Sequence, residues 1–166
     1  STEPRGMALG AAWYMPEERQ ITPLQALRDQ MCMTLGGRAA EEIVLGQIST
    51  GALNDLEKVT KMAYAIVVYY GMSDKIPNVS YYDSTGQAYG FSKPYGGERA
   101  TAIDAEVSRI INEQYERAKA IIREHADGHG KLAETLLTKE VMYSEDLKEI
   151  FGPRKWRSRT EEIMQL

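Results

Sequence analysis

From Glu98 to Ala126 apolar residues return at helical intervals. Ile103, Val107, Ile110, Ile111, Ala118, Ile121 and Ile122 form one stripe, while charged side chains fill the opposite face. That pattern belongs to an amphipathic surface helix with a single face to bury. With the further helical segments below, the chain is read as mainly α with a little β at the front and middle. The other segments fit around this helix. Thr22 followed by Pro23 predicts a helix start, a hydroxyl cap and then a proline where no N–H is needed. That helix should run to about Leu45 and stop at Gly46. Gly36 and Gly37 interrupt it at a cost of up to about 1 kcal/mol each, which predicts a close neighbour against that backbone. A second helix is expected from near Asn54 to Tyr70 with Gly71 as its stop. "GKLAETLLTKEV" at 130–141 and "SEDLKEIFG" at 144–152, with Ser144 as cap, complete a set of about five helices. A short N-terminal edge strand is expected in "MALGAAWYM" at 7–15. A small hairpin or loop, rich in tyrosine, is expected within residues 72–97. The tail from 153 to 166 lacks periodicity and is read apart from the 1–152 domain.

With 166 residues the chain is long enough for one domain with a real core. A net charge of -4 argues against a protein built to hold nucleic acid. The single cysteine, Cys32, excludes an internal disulfide and a cysteine-rich zinc site, and its place between Met31 and Met33 predicts a buried thiol. The most apolar run, at 62–72, has about half the roughly 20 residues that a membrane span requires. The opening "STEPRG" has no apolar core of a signal peptide and reads as a cut edge within a longer polypeptide.

Candidate chemistry is sparse. His125 and His129 in "REHADGHG" are four residues apart, the spacing of zinc-binding H-E-x-x-H helices. Ala126 stands where that motif needs its glutamate, and "ADG" should end the helix, so two loop histidines are expected. "PRKWRSR" at 153–159 sets cations around Trp156, a pattern of single-strand nucleic-acid binding. It is short and followed by Glu161 and Glu162, so a solvated tail is preferred. No phosphate-cradling G-x-x-x-x-G-K-[ST] loop occurs. There remains Asp55, in "STGALNDLEKVT" at 49–60, at the first turn of a helix. By itself an acid there reads as a cap favoured by the exposed N–H groups.

The surroundings of Asp55 change that reading. "PRGMALGAAWYMPEER" at 4–19, "MCMTLGGRAAEEIVLGQISTGALNDLEKVTKMA" at 31–63, "YGMSDKI" at 70–76 and "FSKPY" at 91–95 resemble, in order, the FtsH family of membrane-anchored AAA+ zinc metalloproteases. "AIDAEVSRIINEQYERA" at 102–118 and "LLTKEVMYSEDLKEIFG" at 136–152 extend the resemblance over nearly the whole chain. It implies the later part of a helical peptidase domain, following the H-E-x-x-H helix. It also implies a parent with transmembrane helices and an ATPase module that uses ATP and Mg. The aspartate of the family's G-A-x-N-D motif, the third zinc ligand, corresponds to Asp55. Carboxylate oxygen beside two imidazoles is an accepted zinc donor set.

The same resemblance places "MALGAAWYM" beside the active-site cleft, where the edge formed by Ala8, Leu9, Gly10 and Ala11 would pair with an extended polypeptide substrate. Plain edge strand is the alternative. Gly36 and Gly37 would let the first helix approach the H-E-x-x-H helix. "YGGERATAID" at 95–104 departs from the family's serine-and-acid cap, with Gly96 and Gly97 weakening it. The implied parent is a hexamer acting on unfolded and membrane proteins. It would sit in the bacterial inner membrane with this domain cytoplasmic, or in the mitochondrial inner membrane. Lacking the two histidines and the glutamate, this chain alone is expected to cleave nothing. The competing expectation is a stand-alone helical interaction module without catalysis. No nucleic-acid partner is expected.

Overall fold

In the computed structural model, which describes residues 1–2, 12, 21–84 and 94–155, the first helix begins at a proline rather than at a hydroxyl. Pro23 is extended, with φ -69° and ψ 155°, and its carbonyl accepts from the N–H groups of Ala26 (3.0 Å) and Leu27 (3.3 Å). Thr22 therefore makes no cap, because the proline's fixed φ already sets the entry direction. The chain divides into two compact units, residues 22–123 and residues 1–21 with 124–166, and each is described by itself.

In the first unit, α1 (Leu24–Thr34) and α2 (Gly36–Ala40) are followed by a π-helical turn, Glu41–Leu45. The run ends at Gly46, whose φ of 69° is the left-handed stop expected there. It is not the uniform helix anticipated, since α1 and α2 meet at Leu35, a residue 1% exposed. Apart from the adjoining residues and the helix's own backbone, no described atom lies within 4 Å of where a Cβ would stand on Gly36 or Gly37. The expected close neighbour is thus absent among the described residues. What the glycines supply here is a weak place in the helix, at which it breaks and buries Leu35.

A 3-10 turn, Thr50–Ala52, leads into α3 (Leu53–Tyr64), and a second π-helical turn, Ala65–Tyr69, carries the helical path to Tyr70. Gly71 stops it as expected, with φ 60°. An added Cβ there would also stand 2.9 Å from the carbonyl oxygen of Val79. Only glycine meets both demands. The following loop folds back on the helix end. Asn78 donates to the Gly71 carbonyl (3.0 Å) and Tyr81 to that of Val68 (2.7 Å). Met72 and Pro77 form an isolated antiparallel bridge. No strand forms among the described residues. The expected edge strand and the rest of the hairpin region, residues 85–93, fall outside them.

The long helix α4 (Gly97–Glu124) starts with the Gly96 carbonyl accepting from Ala100 (3.0 Å). Its inner face is turned slightly from the stripe read in the sequence. Ile103, Glu106, Ile110, Gln114, Ala118 and Lys119 are buried, whereas Ile121 is 42% exposed. Glu106 can lie inside because every oxygen has a partner. Arg109 grips it with Nε (2.7 Å) and Nη2 (2.8 Å), and the Ser73 hydroxyl donates to it at 2.6 Å. Ser73 in turn accepts from the N–H groups of Lys75 and Ile76, pinning the loop. The Arg109 guanidinium holds the Glu106 carboxyl below the usual carboxylate range. Around this lock, Met31, Cys32, Leu35, Val59, Ala63, Ile66, Val67, Val68 and Ile76 close the core with Ile103 and Ile110. The thiol of Cys32 is buried as expected, and burial pushes its pKa up.

In the second unit, α5 (Ala126–Lys139) begins directly after His125, so "ADG" opens a helix instead of ending one. Asp127 in the first turn suits the partial positive charge of a helix start. After α5, Glu140 adopts φ 59° and its carbonyl accepts from the N–H of Thr2 (2.9 Å). Helix α6 (Ser144–Phe151) is capped one residue earlier than expected. Tyr143 holds the cap position and Asp146 reaches back to its N–H (2.9 Å), while Ser144 bonds Glu145. Asp146 also accepts from Lys139 (2.7 Å), tying α6 to the end of α5. The Phe151 ring lies against Gly128, where an added Cβ would collide with it, and edge-on to His125. No helix among the described residues is long and apolar enough to cross a membrane.

Candidate metal centre

Ser49 is the corner from which the chain enters α3. Its backbone is extended, with φ -118° and ψ 177°, and its Oγ accepts from the N–H of Gly51 at 3.1 Å, capping the 3-10 turn. One acid secures the corner. The N–H of Ser49 donates to Glu41 Oε2 (3.0 Å) and the hydroxyl of Ser49 donates to Glu41 Oε1 (2.7 Å). The two bonds hold the Glu41 carboxyl below its ordinary range.

Glu41 opens the first π-helical turn, and its neighbour Glu42 faces a different set of partners. Glu42 accepts from the Tyr115 hydroxyl and from Lys119 Nζ (3.3 Å), both on α4. Lys119 lies 4.8 Å from the centre of the Tyr115 ring and pairs with Glu116 at 2.7 Å. The hydroxyl of Tyr115 is the main influence drawing Glu42 down, and burial is the main influence raising the Tyr115 phenol. Two consecutive glutamates thus serve two structures, one the corner at Ser49 and the other the long helix.

Asp55 is the third residue of α3, in its first turn as expected. Its side chain is 45% exposed, and Lys58 Nζ stands 3.7 Å from Oδ1. No main-chain N–H donates to this carboxylate among the described residues, and α3 has no side-chain cap bond. The cap anticipated for Asp55 is not made, and its tie to the helix start is limited to the field of the first turn. Leu53, two residues earlier, is 76% exposed, and Ile48 is also exposed.

An uncapped, half-exposed carboxylate fits one position of a zinc site, for which oxygen is a suitable donor. Among the described residues no group of three His, Cys, Asp or Glu side chains gathers to hold an ion, so Asp55 has no second and third donor beside it there. His125 is exposed at the junction of α4 and α5, with Glu124 3.9 Å away and Phe151 against its ring. His129 is one turn on within α5, not in a loop. Ala8, Leu9, Gly10 and Ala11 lie outside the described residues, as does most of the basic tail.

Glu41, Glu42 and Ser49 were not singled out in the sequence. A visible signal is the pair of adjacent acids just before a glycine stop, because consecutive helical side chains point about 100° apart and so face different partners. A second is a serine two residues ahead of Gly51, the spacing of a hydroxyl turn.

Residues 1–150 match the model of a protein family described as peptidase family M41. The chain is 68% identical, over 98% of its length, to an ATP-dependent zinc metalloprotease FtsH of Parabacteroides distasonis, of which it covers 24%. An ATP-dependent zinc metalloprotease FtsH of Rhodothermus marinus is 54% identical over 94% of the chain and 23% of that protein. The mitochondrial ATP-dependent zinc metalloprotease FTSH 3 of Arabidopsis thaliana is 47% identical over 93% of the chain and 19% of that protein. The chain therefore spans about a quarter or less of the length of these relatives.

Proposed function

Because the chain belongs to peptidase family M41, we propose that it forms the later part of the proteolytic domain of an ATP-dependent zinc endopeptidase. In this reading Asp55 is the third protein ligand of the zinc, and two histidines and a glutamate of an H-E-x-x-H helix come from elsewhere in the full-length polypeptide. One observation carries the reading. The family match runs through "GALND", and the aspartate there is a carboxylate with no capping bond, half open to an incoming partner. When bound, zinc would supply a water made nucleophilic near neutral pH.

The chain's own residues have distinct parts in this. Asp55 contributes a negatively charged oxygen from a fixed helical turn. The backbone at Ala8, Leu9, Gly10 and Ala11 would pair with an extended substrate, a mode that reads main chain rather than sequence. Residues 1–152 form the peptidase portion and 153–166 a polar tail.

The complete enzyme we envisage is a hexamer anchored by transmembrane helices, with ATP and Mg in its ATPase module and unfolded or membrane proteins as substrates. It would face the bacterial cytoplasm from the inner membrane, or a mitochondrial compartment. This chain alone would not cleave peptides, since its only histidines, His125 and His129, are not followed by the required glutamate.

The test uses the full-length polypeptide with bound zinc per chain, peptide cleavage and helix content measured for wild type and Asp55→Ala. Loss of zinc and cleavage with helix content unchanged is the expected result. Full retention of zinc, with at most a cap-sized stability change of about 1 kcal/mol, would overturn the ligand assignment.

A further inference from the structure

We infer that Glu41 is the positioning residue for the Asp55 arm of the metal site, acting through Ser49; this rests on the reading of Asp55 as a zinc ligand. Asp55 has no hydrogen bond of its own to fix it. Its direction therefore depends on the turn that carries it, and that turn is anchored at Ser49. The hydroxyl of Ser49 caps the turn through Gly51, and both the N–H and the O–H of Ser49 are committed to Glu41. The next residue, Glu42, is fixed by Tyr115 and Lys119 on the longest helix. A continuous line of bonded atoms thus runs from α4 through the π-helical turn and Ser49 to the start of α3.

Both carboxylate oxygens of Glu41 are engaged by Ser49, which makes this acid a brace for the corner rather than a further metal donor. Nor does the arrangement serve the core, because Ser49 is exposed and its bonds to Glu41 lie at the surface. Surface polar contacts of this kind add little to global stability. Their effect falls on local geometry, and metal affinity is sensitive to the groups that orient its ligands.

The experiment compares Glu41→Ala, Glu41→Gln, Ser49→Ala and Asp55→Ala in the full-length protein. Zinc affinity is measured by chelator competition, and ligand geometry by the visible spectrum of the cobalt-substituted protein. Ser73→Ala, which loosens the Glu106 lock in the core, serves as a control for lost stability without lost positioning. Glu41→Ala should weaken zinc binding by about 10–100-fold and change the cobalt spectrum. Ser49→Ala should do the same to a smaller degree, since its N–H still reaches Glu41. Glutamine can accept from the Ser49 N–H and donate to its Oγ, so Glu41→Gln should stay within a few-fold of wild type with an unchanged spectrum. Ser73→Ala should leave both unchanged.

Zinc lost from Asp55→Ala but bound normally by Glu41→Ala and Ser49→Ala would overturn the positioning role alone. So would a Glu41→Gln protein as deficient as Glu41→Ala, which would make the charge and not the brace the relevant property. Zinc retained by Asp55→Ala would bring down the ligand reading and this inference with it. If Glu41→Ala does not fold, Ser49→Ala decides the matter, because it removes a single exposed hydroxyl.

Discussion

Met31, Leu35, Ile66, Ile103 and Ile110, all in the unit of residues 22–123, are no more than 2% exposed. Among the described residues of the other unit no side chain is fully buried, and Leu137 and Tyr143 are 84% and 69% exposed. Both units are helical, yet the first closes around one continuous core while α5 and α6 are joined by Phe151 on Gly128 and by the Lys139–Asp146 pair. Asp55 and its corner belong to the first. If Asp55 is the zinc ligand proposed above, its turn is suitably attached to close-packed elements, since packed interiors resist small displacements. The contrast assigns precision to the core-backed unit and leaves the other with contacts that can be altered at little cost.

Ile66→Ala should show the contrast most strongly. Removing a fully buried branched side chain costs about 2–5 kcal/mol, which equilibrium denaturation would register as a lower midpoint at unchanged slope. A loss below 1 kcal/mol would mean the core is less closed than described. Glu106→Gln comes next, at about 2–4 kcal/mol, below the range for a wholly buried pair because Arg109 is 35% exposed. This effect has a pH signature. The Glu106 pKa is lowered in the folded state, so its stabilisation is complete above the ordinary glutamate range and is lost as pH falls through the lowered native value. The stability gap between wild type and Glu106→Gln should accordingly shrink in acid, and a gap that widened there would refute the assignment.

Gly71→Ala should cost about 1–3 kcal/mol, through its positive φ and the approach of Val79. A thermal melt that did not move would contradict the described path of the chain. Substitutions in the second unit should have the smallest effects. Leu137→Ala should stay within about 0.5 kcal/mol. Gly128→Ala should displace the half-exposed Phe151 ring, visible in its aromatic proton shifts, while better helix propensity offsets the lost contact to within about 1 kcal/mol. Large losses at either position would erase the distinction between the units.

Much of this was legible from residue types alone. Gly46 and Gly71 stop their helices where expected because a left-handed backbone leaves few alternatives to glycine. Cys32 is buried because its helical neighbours are apolar, and Asp55 falls in a first turn because the lead-in residues are turn formers. Caps were misplaced by a single residue at Thr22 and Ser144, since Pro23 and Asp146 satisfied the helix starts by other means. Glu106 and Gln114 were hidden for a different reason. Helical periodicity counts them as polar, and the burial of Glu106 is tolerable through Arg109, one turn along the same helix, together with Ser73 from a loop far away in the sequence. Glu41 and Ser49 are separated by a loop, so local propensity could not join them. The family resemblance, not spacing, drew attention to Asp55.

The π-helical turn at 41–45 has an arithmetical consequence. An α-helix advances about 100° per residue, whereas the wider turn spreads an additional residue around the axis. Consecutive side chains such as Glu41 and Glu42 diverge on any helix; the surplus residue sets instead the bearing of Glu41 relative to the chain that leaves at Gly46 and returns to it at Ser49. Deleting one position between Glu41 and Leu45 would keep the composition almost intact and still turn one acid away from its mate. In this segment the count of residues matters as much as their identity, because the meeting of Glu41 with Ser49 depends on both.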